Sequence, residues 1–341
     1  MKLSNTRSVI YLFVAMVISS VVIGSICQTK FVPVPSVVEA ASLDSVSTKY
    51  APVDVDMSLK QVAEHTWYVQ GKAGIATDNA GFISNAGVVI TDKGVVIIDA
   101  LGTPSLANKL LQEIRKITDK PVLKVFVTHY HADHIYGLQV FKEQGAEIIA
   151  PQGAYEYIDS DAASSRLEER QFSLEPWVNE NTKIVVPDRI IDKSEEISVG
   201  GFTFILSYVG PAHSDGDMTV YVENDRVLFT GDLIFEGRVP LLGSDNTKHW
   251  LETLKTIESK KLHALVPGHG ATAQDPMKAI SLTRSYLAFI REKMGAGVEE
   301  MLDFDEVYKS VDWSRYAQLP AFKEANRKNA YQVYLSMEQE E

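Results

Sequence analysis

Cysteine is all but missing from this chain: Cys27 is the only one in 341 residues. The body of the protein can therefore make no internal disulfide, and any metal it holds must be held without thiolate. A chain of this size can build an adequate core without such staples, so the absence is compatible with an oxidising compartment. Basic charge is also scarce. Lys and Arg number 33 against 45 Asp and Glu, a net charge of −12, which argues against a nucleic-acid surface. That balance speaks mainly to solubility and steering and names no substrate. Internal repeats and low-complexity tracts are absent too. Hydrophobic content of 45% is ordinary for a globular protein, and the length suits one large α/β domain plus an appendage.

What the chain does have is clustered histidine. Five of its eight histidines fall in three short segments: Thr128-His129-Tyr130-His131-Ala132-Asp133-His134, Pro211-Ala212-His213-Ser214-Asp215-Gly216-Asp217 and Val266-Pro267-Gly268-His269-Gly270. Thr230-Gly231-Asp232 lies between the last two. Imidazole nitrogen and carboxylate oxygen are the donors that divalent zinc accepts besides thiolate, and a catalytic zinc usually takes three of them and leaves a place for water. His129, His131, Asp133, His134, His213, Asp232 and His269 supply enough donors for two ions. Hydrolysis by metal-bound hydroxide is the chemistry this set suggests.

Spacing suggests how the donors are carried. Val122 to Thr128 is an apolar run of strand length, and the histidines begin where it stops. His129 and His131 lie two apart and point the same way in an extended segment, so together they can hold one ion. Asp133 and His134 can hold another, with a helix from Ile135 to Gln144 behind them. Met218–Val222 and Arg226–Thr230 read as strands around an Asn224-Asp225 turn, which puts Asp232 just past a strand end. His269 follows the short apolar run His263–Val266. His65, His249 and His263 are expected to be structural, Asp215 to cap a turn, and Asp217 either to cap a turn or to orient a ligating imidazole. Tyr130 and Tyr136 are expected to pack rather than to act.

These residues resemble the metallo-β-lactamase-fold hydrolases. The signature His-x-His-x-Asp-His stands here as His129, His131, Asp133 and His134, and the later His, Asp and His of that superfamily match His213, Asp232 and His269. The resemblance runs from about Glu64 to about Thr272 and includes Asn79–Asn85 and Gly94–Asp99 as opening hairpins. It implies a first zinc on His129, His131 and His213, a second on Asp133, His134 and His269, and Asp232 as a bridge, as in the glyoxalase II-like branch. Asp133 would also orient the hydroxide, as the catalytic residue. The best-known zinc β-lactamases carry a Cys as a second-site ligand near this stretch, and this chain departs from that pattern. The run Val227–Phe235 with Arg238-Val239-Pro240 and His249-Trp250-Leu251 is similar to the quinoprotein relay system zinc metallohydrolases.

The fold so implied is α/β: a four-layer αββα sandwich of the metallo-β-lactamase type, residues 61–272, with a C-terminal helical extension, residues 273–341. Residues 27–60, with Pro33, Pro35 and Pro52, read as a linker or loosely packed arm. Residues 1–26 begin with Lys2 and Arg7 and continue as an uncharged stretch from Val9 to Ile26, the pattern of a signal peptide or membrane anchor. The expectation is an exported enzyme, periplasmic or membrane-anchored. It would use a binuclear metal centre, two Zn2+ with iron or manganese as alternatives, to hydrolyse an ester, thioester, lactone or amide. Persulfide dioxygenase-like oxidation and β-lactam hydrolysis are the competing activities. Its partner is a small-molecule substrate and not nucleic acid, and no site for an organic cofactor is assigned.

Overall fold

A computed structural model describes residues 49–242, 246–258, 261–273 and 275–340. The leader, Cys27 and most of the proposed linker lie outside the described residues. Two sheets form the centre. The first contains β1 (Lys60–Gln61), β2 (Thr66–Val69), β3 (Ala86–Ile90), β4 (Val95–Ile98), β5 (Val122–Phe126), β6 (Glu147–Pro151) and β7 (Arg189–Ile191), side by side in chain order. Its first four strands run antiparallel; β4 through β7 run parallel. The second sheet has the order β12 (Ala264–Val266), β11 (Val227–Phe229), β10 (Asp217–Val222), β9 (Phe202–Gly210), β8 (Glu195–Val199). It is antiparallel except for the parallel pair β11 and β12.

The strand sequences explain the layering. In β4, Val-Val-Ile-Ile is buried throughout, because successive side chains point to opposite faces and both faces are covered. Val95 and Ile97 join the core under α1 (Pro104–Arg115), whereas Val96 and Ile98 join the core between the sheets. Leu228 and Leu265 likewise face the outer helices while Val227, Phe229, Ala264 and Val266 face the first sheet. The result is helix, sheet, sheet, helix, as the resemblance implies.

The remaining helices are α2 (Ala132–Ile135), α3 (Leu138–Glu143), α4 (Gly153–Ile158), α5 (Asp161–Ser173), α6 (Thr247–Glu258), α7 (Pro276–Glu299), α8 (Phe304–Ser310) and α9 (Phe322–Glu340). The last three complete the outer layer over the second sheet: Ile280, Leu287, Ile290 and Val333 share one core with Phe235, Trp250 and Leu254. Among the described residues no helix is long and apolar enough to cross a membrane.

Several local expectations differ from what is seen. The helix after the histidine loop starts at Ala132 rather than Ile135 and breaks between α2 and α3, where Gly137 passes so close to Ala100 that a Cβ would lie 1.9 Å from its carbonyl oxygen. Asn79–Asn85 is no hairpin. Ala76–Asn79 is a 3-10 turn, and the left-handed Ala80 and Gly81 carry the chain from it to β3. The described end of the supposed loose arm packs down: Val55 and Met57 are buried in the first core, and Trp177 Nε1 donates to the Pro52 carbonyl over 2.9 Å.

Candidate metal centre

The topology brings several strand ends to one rim. Parallel strands β4 and β5 both end there, followed by Asp99 and by Thr128 and His129. Parallel strands β11 and β12 end there in the other sheet, followed by Asp232 and His269. Antiparallel β10 starts at that rim, just after His213. The two rims are bonded to each other. Met218 N donates to Thr128 O over 2.8 Å and Asn85 N to Gly268 O over 2.7 Å, while Asn85 Nδ2 donates to Pro267 O and Gly270 O.

All seven donors foreseen in the sequence converge at this rim. His129, His131 and His213 form one group, Asp133, His134 and His269 another, and His129, His134 and Asp232 a third; within each group the donor atoms lie within 4.8 Å of one another. Asp232 lies between the first two groups. Its carboxylate is 3.5 Å from His213 Nε2 on one side, and 3.1 Å from His269 Nε2 and 3.4 Å from His134 Nε2 on the other. His129, His134, His213, Asp232 and His269 are buried, whereas His131 and Asp133 are partly exposed and mark the open side.

Most of the ring orientations are set from behind. His134 Nδ1 lies 3.0 Å from Asp99 Oδ2, His269 Nδ1 2.8 Å from the Ile83 carbonyl, and His129 Nδ1 3.1 Å from Thr128 Oγ1. With Nδ1 so occupied, Nε2 of each ring is turned to the cluster, the arrangement that metal-binding imidazoles use. Asp217, buried, accepts from the amides of Ala212 and Ser214 and from Ser214 Oγ, and so fixes the loop that carries His213. Burial pushes its pKa up to about 7. Asp215 is exposed on the same loop. His65 is bound to Asp225, His249 Nδ1 lies 2.9 Å from Pro211 O, and His263 is exposed; none of the three joins the cluster. Tyr130 and Tyr136 are buried packing residues.

The residues present fit a bound cation. His129 Nε2, His134 Nε2 and Asp232 Oδ1 are buried and lack a hydrogen-bond partner, although such a deficit costs roughly 1–3 kcal/mol per group. Burial holds His129 neutral, far below its ordinary pKa, and lowers His213 to about 3. Neutral imidazole is the ligating form. Burial also opposes charge on His269, yet Asp232 and Asp133 outweigh it and push its pKa up to about 9. His134 is raised in the same way by Asp133, Asp232 and Asp99. Against their own burial, Asp133 and Asp232 are held ionised by those two histidines. The cluster thus calls for positive charge beside nitrogens that are bare, and a divalent cation meets both demands.

The sequence profile of the metallo-beta-lactamase superfamily matches residues 79–269. The chain belongs to the metallo-beta-lactamase superfamily. Membership makes this protein a metal-dependent hydrolase in class. It is 24% identical over 193 residues to a metallo-beta-lactamase of Chryseobacterium indologenes, a match covering 55% of this chain and 72% of that one. It is 22% identical over 254 residues to a linear primary-alkylsulfatase of a Pseudomonas species, covering 64% of this chain and 48% of that one. Among solved structures, the stereoselective inverting sec-alkylsulfatase of a Pseudomonas species matches 82% of this superfamily member and 50% of its own chain, with a TM-score of 0.67 at 19% identity. The chain therefore spans about half the length of these two alkylsulfatases, and at that identity the structural likeness speaks for the fold.

Sequence reasoning missed the role of Asp99. Its carboxylate accepts from the Thr128 amide over 2.7 Å and from Thr128 Oγ1 over 2.8 Å while it also faces His134. The available signal was a lone carboxylate directly after the wholly apolar Val-Val-Ile-Ile, where burial is unavoidable.

Proposed function

We propose that this protein is a binuclear metal hydrolase of esters, thioesters, lactones or amides. His129, His131 and His213 would hold one ion, Asp133, His134 and His269 the other, and Asp232 would be shared. The observation that carries this reading is the position of Asp232, within 3.5 Å of a histidine from each triad. Zinc suits an imidazole-rich set, with iron and manganese as alternatives. Bound ions would acidify water near neutral pH and polarise the substrate. Asp133, partly exposed and held ionised by His134 and His269, would orient the attacking water through its free carboxylate edge. The Asp99, Thr128 and Ile83 contacts would keep three rings aimed while the substrate changes shape.

Cleavage of an alkyl sulfate ester is a second reading. It is supported by the likeness to the sec-alkylsulfatase, which extends over 82% of this chain. The first relative named above is a β-lactamase, so cephalosporin hydrolysis belongs in the same trial. The experiment is metal analysis, chelator stripping and zinc add-back, followed by a panel of chromogenic thioester, lactone, cephalosporin and alkyl sulfate substrates. Two ions per chain and activity restored by add-back are expected. Full activity in metal-free protein would end the reading. Oxygen uptake on a persulfide tests the oxidative alternative. We place the enzyme outside the cytoplasm on the uncharged Val9–Ile26 stretch; cell fractionation of the full chain tests that assignment.

A further inference from the structure

A cavity apart from the metal centre lies in the outer layer over the first sheet. The start of α1, the side of α3 and the loop after α5 meet residues 49–51 there. Its volume is about 260 Å3, and none of the seven metal-centre donors lines it. Sites for drug-sized ligands run to ~300–1,000 Å3, so a ligand that fits this one is small. Two aromatic side chains, Tyr50 and Trp177, form part of the wall, and their polar tips are already engaged. Tyr50 Oη donates to Glu143 Oε2 over 2.8 Å and Trp177 Nε1 to the Pro52 carbonyl over 2.9 Å. What these rings can offer a ligand is apolar surface.

The polar groups of the wall are unevenly spent. Glu143, the one carboxylate that lines the cavity, also accepts from Lys49 Nζ over 2.6 Å, so its charge is answered within the wall. The Gln139 carboxamide oxygen accepts from Lys183 N over 2.9 Å, the Asn179 oxygen from Asn181 N over 2.9 Å, and Thr182 Oγ1 from Asn179 N over 3.0 Å. Acceptors are engaged while donors are left over. Ser105 is 3% exposed, yet neither its hydroxyl nor its amide has a partner among the described residues. That amide belongs to the first turn of α1, where N–H groups have no acceptor within the helix. The Gln139 amide nitrogen lies beside the Tyr50 hydroxyl and carries two hydrogens, one of which remains to donate. Lys183 is exposed and forms no ion pair among the described residues. Surplus donors and one free ammonium facing an apolar wall call for a ligand that accepts on one side and is apolar on the other.

We propose that this cavity binds a small organic carboxylate, with its oxygens on Ser105, Gln139 and Lys183 and a flat apolar body against Trp177 and Tyr50. A carboxylate accepts several hydrogen bonds at once, and its single charge matches the one free ammonium. A bare inorganic anion would leave both rings unused. The site is separate from the candidate metal centre and does not depend on the hydrolase reading.

The test uses the full chain loaded with zinc and measures binding by calorimetry. The probes are sodium benzoate, benzamide, sodium acetate and sodium sulfate. Benzoate has both ring and charge, benzamide the ring alone, acetate the carboxylate alone, and sulfate neither ring nor carboxylate. Benzoate is expected to bind with a Kd of about 1 mM, and the other three about tenfold more weakly. Gln139→Glu keeps the shape and the acceptor for Lys183 N but replaces the donor with negative charge, and should weaken benzoate about tenfold or more. Ser105→Ala and Lys183→Gln should each weaken it severalfold, and they serve if melting shows that Gln139→Glu does not fold. Asp232→Asn, at the metal centre, should leave benzoate affinity in the cavity unchanged. The proposal is overturned if the wild type does not bind benzoate at ten times the expected Kd, or if sulfate binds as tightly. Benzoate affinity that holds in all the folded cavity variants would overturn it as well.

Discussion

The carboxylate of Asp99 stands 3.0 Å from Nδ1 of His134, at the end of a strand whose four residues are all buried. Asp99 adopts φ of 60°, a left-handed conformation that Asp tolerates better than most residues. The backbone there turns so that one side chain can serve both the Thr128 loop and the His134 ring. Asp99→Ala should therefore weaken zinc binding about 10- to 100-fold. Asp99→Asn, which keeps the shape but replaces an acceptor oxygen with a donor amide, should fall between. Chelator competition on the purified variants reads both, and unaltered zinc affinity in Asp99→Ala would remove this residue from the account.

Gly268 makes a second constraint. A Cβ there would lie 2.0 Å from Asp232 Oδ1 and 2.8 Å from the Gly231 carbonyl carbon. Gly268→Ala should displace the Asp232 carboxylate and lower zinc stoichiometry below that of the parent. Gly145→Ala is the comparison. That position has φ of +85° but nothing within 4 Å, so only a conformational cost of about 1 kcal/mol is expected, with zinc binding retained. Metal analysis and thermal melting of the two variants separate crowding at the site from backbone strain.

The electrostatics predict a pH dependence that zinc should abolish. His269 has its pKa raised to about 9 from an ordinary 6.5, so the folded chain holds that proton more tightly than the unfolded chain does. Its contribution is complete below pH 6.5 and is lost as pH rises through about 9. The size is on the order of 3 kcal/mol, and His134 acts in the same direction. His213, lowered to about 3, acts only below 6.5, and Asp217, raised to about 7, only below 7. Metal-stripped protein should therefore lose melting temperature between pH 7 and 9. Zinc-loaded protein, in which cations have displaced those protons, should not. Parallel curves for the two forms would contradict the assignment.

Asn329 links the C-terminal helices to the segment beside the centre. It is buried, accepts from Leu242 N, and donates to Pro240 O and to Tyr286 Oη, the last over 3.0 Å. Asn329→Ala strands a buried amide and a buried carbonyl, and should cost about 2–4 kcal/mol. Urea unfolding measures the loss. A change within 0.5 kcal/mol would show that this junction is not structurally important.

The sequence was most legible where chemistry and secondary structure spoke together. His129, His131, Asp133 and His134 follow an apolar run, and His213, Asp232 and His269 flank short strands, so the donors and the strand ends were visible in one reading. The four layers were legible through the family resemblance, and the structure shows their physical basis in β4, β11 and β12, whose residues are all buried because both faces are covered. Asp99 was less legible because it is a single residue with no spacing pattern, and its meaning comes from partners far along the chain, Thr128 and His134. The early start of α2 was hidden by Ala132-Asp133-His134, which reads as loop chemistry although its backbone is helical. Asn79–Asn85 misled because its turn rests on left-handed residues, one of them Ala80, which propensity disfavours.

Among the described strands, those of the first sheet precede those of the second without interleaving, and the passage from β7 to β8 is the exposed turn Asp192-Lys193-Ser194. That turn divides the donors as well: His129, His131, Asp133 and His134 precede it, and His213, Asp232 and His269 follow it. Cutting the backbone at Lys193 would give two polypeptides, neither with all seven donors, that must reassociate across the Phe126–Phe204 contact and the Asn85 latch before the candidate centre is complete. Enzyme function is in this sense an outcome of docking one half of the molecule onto the other, and zinc would act as the rivet.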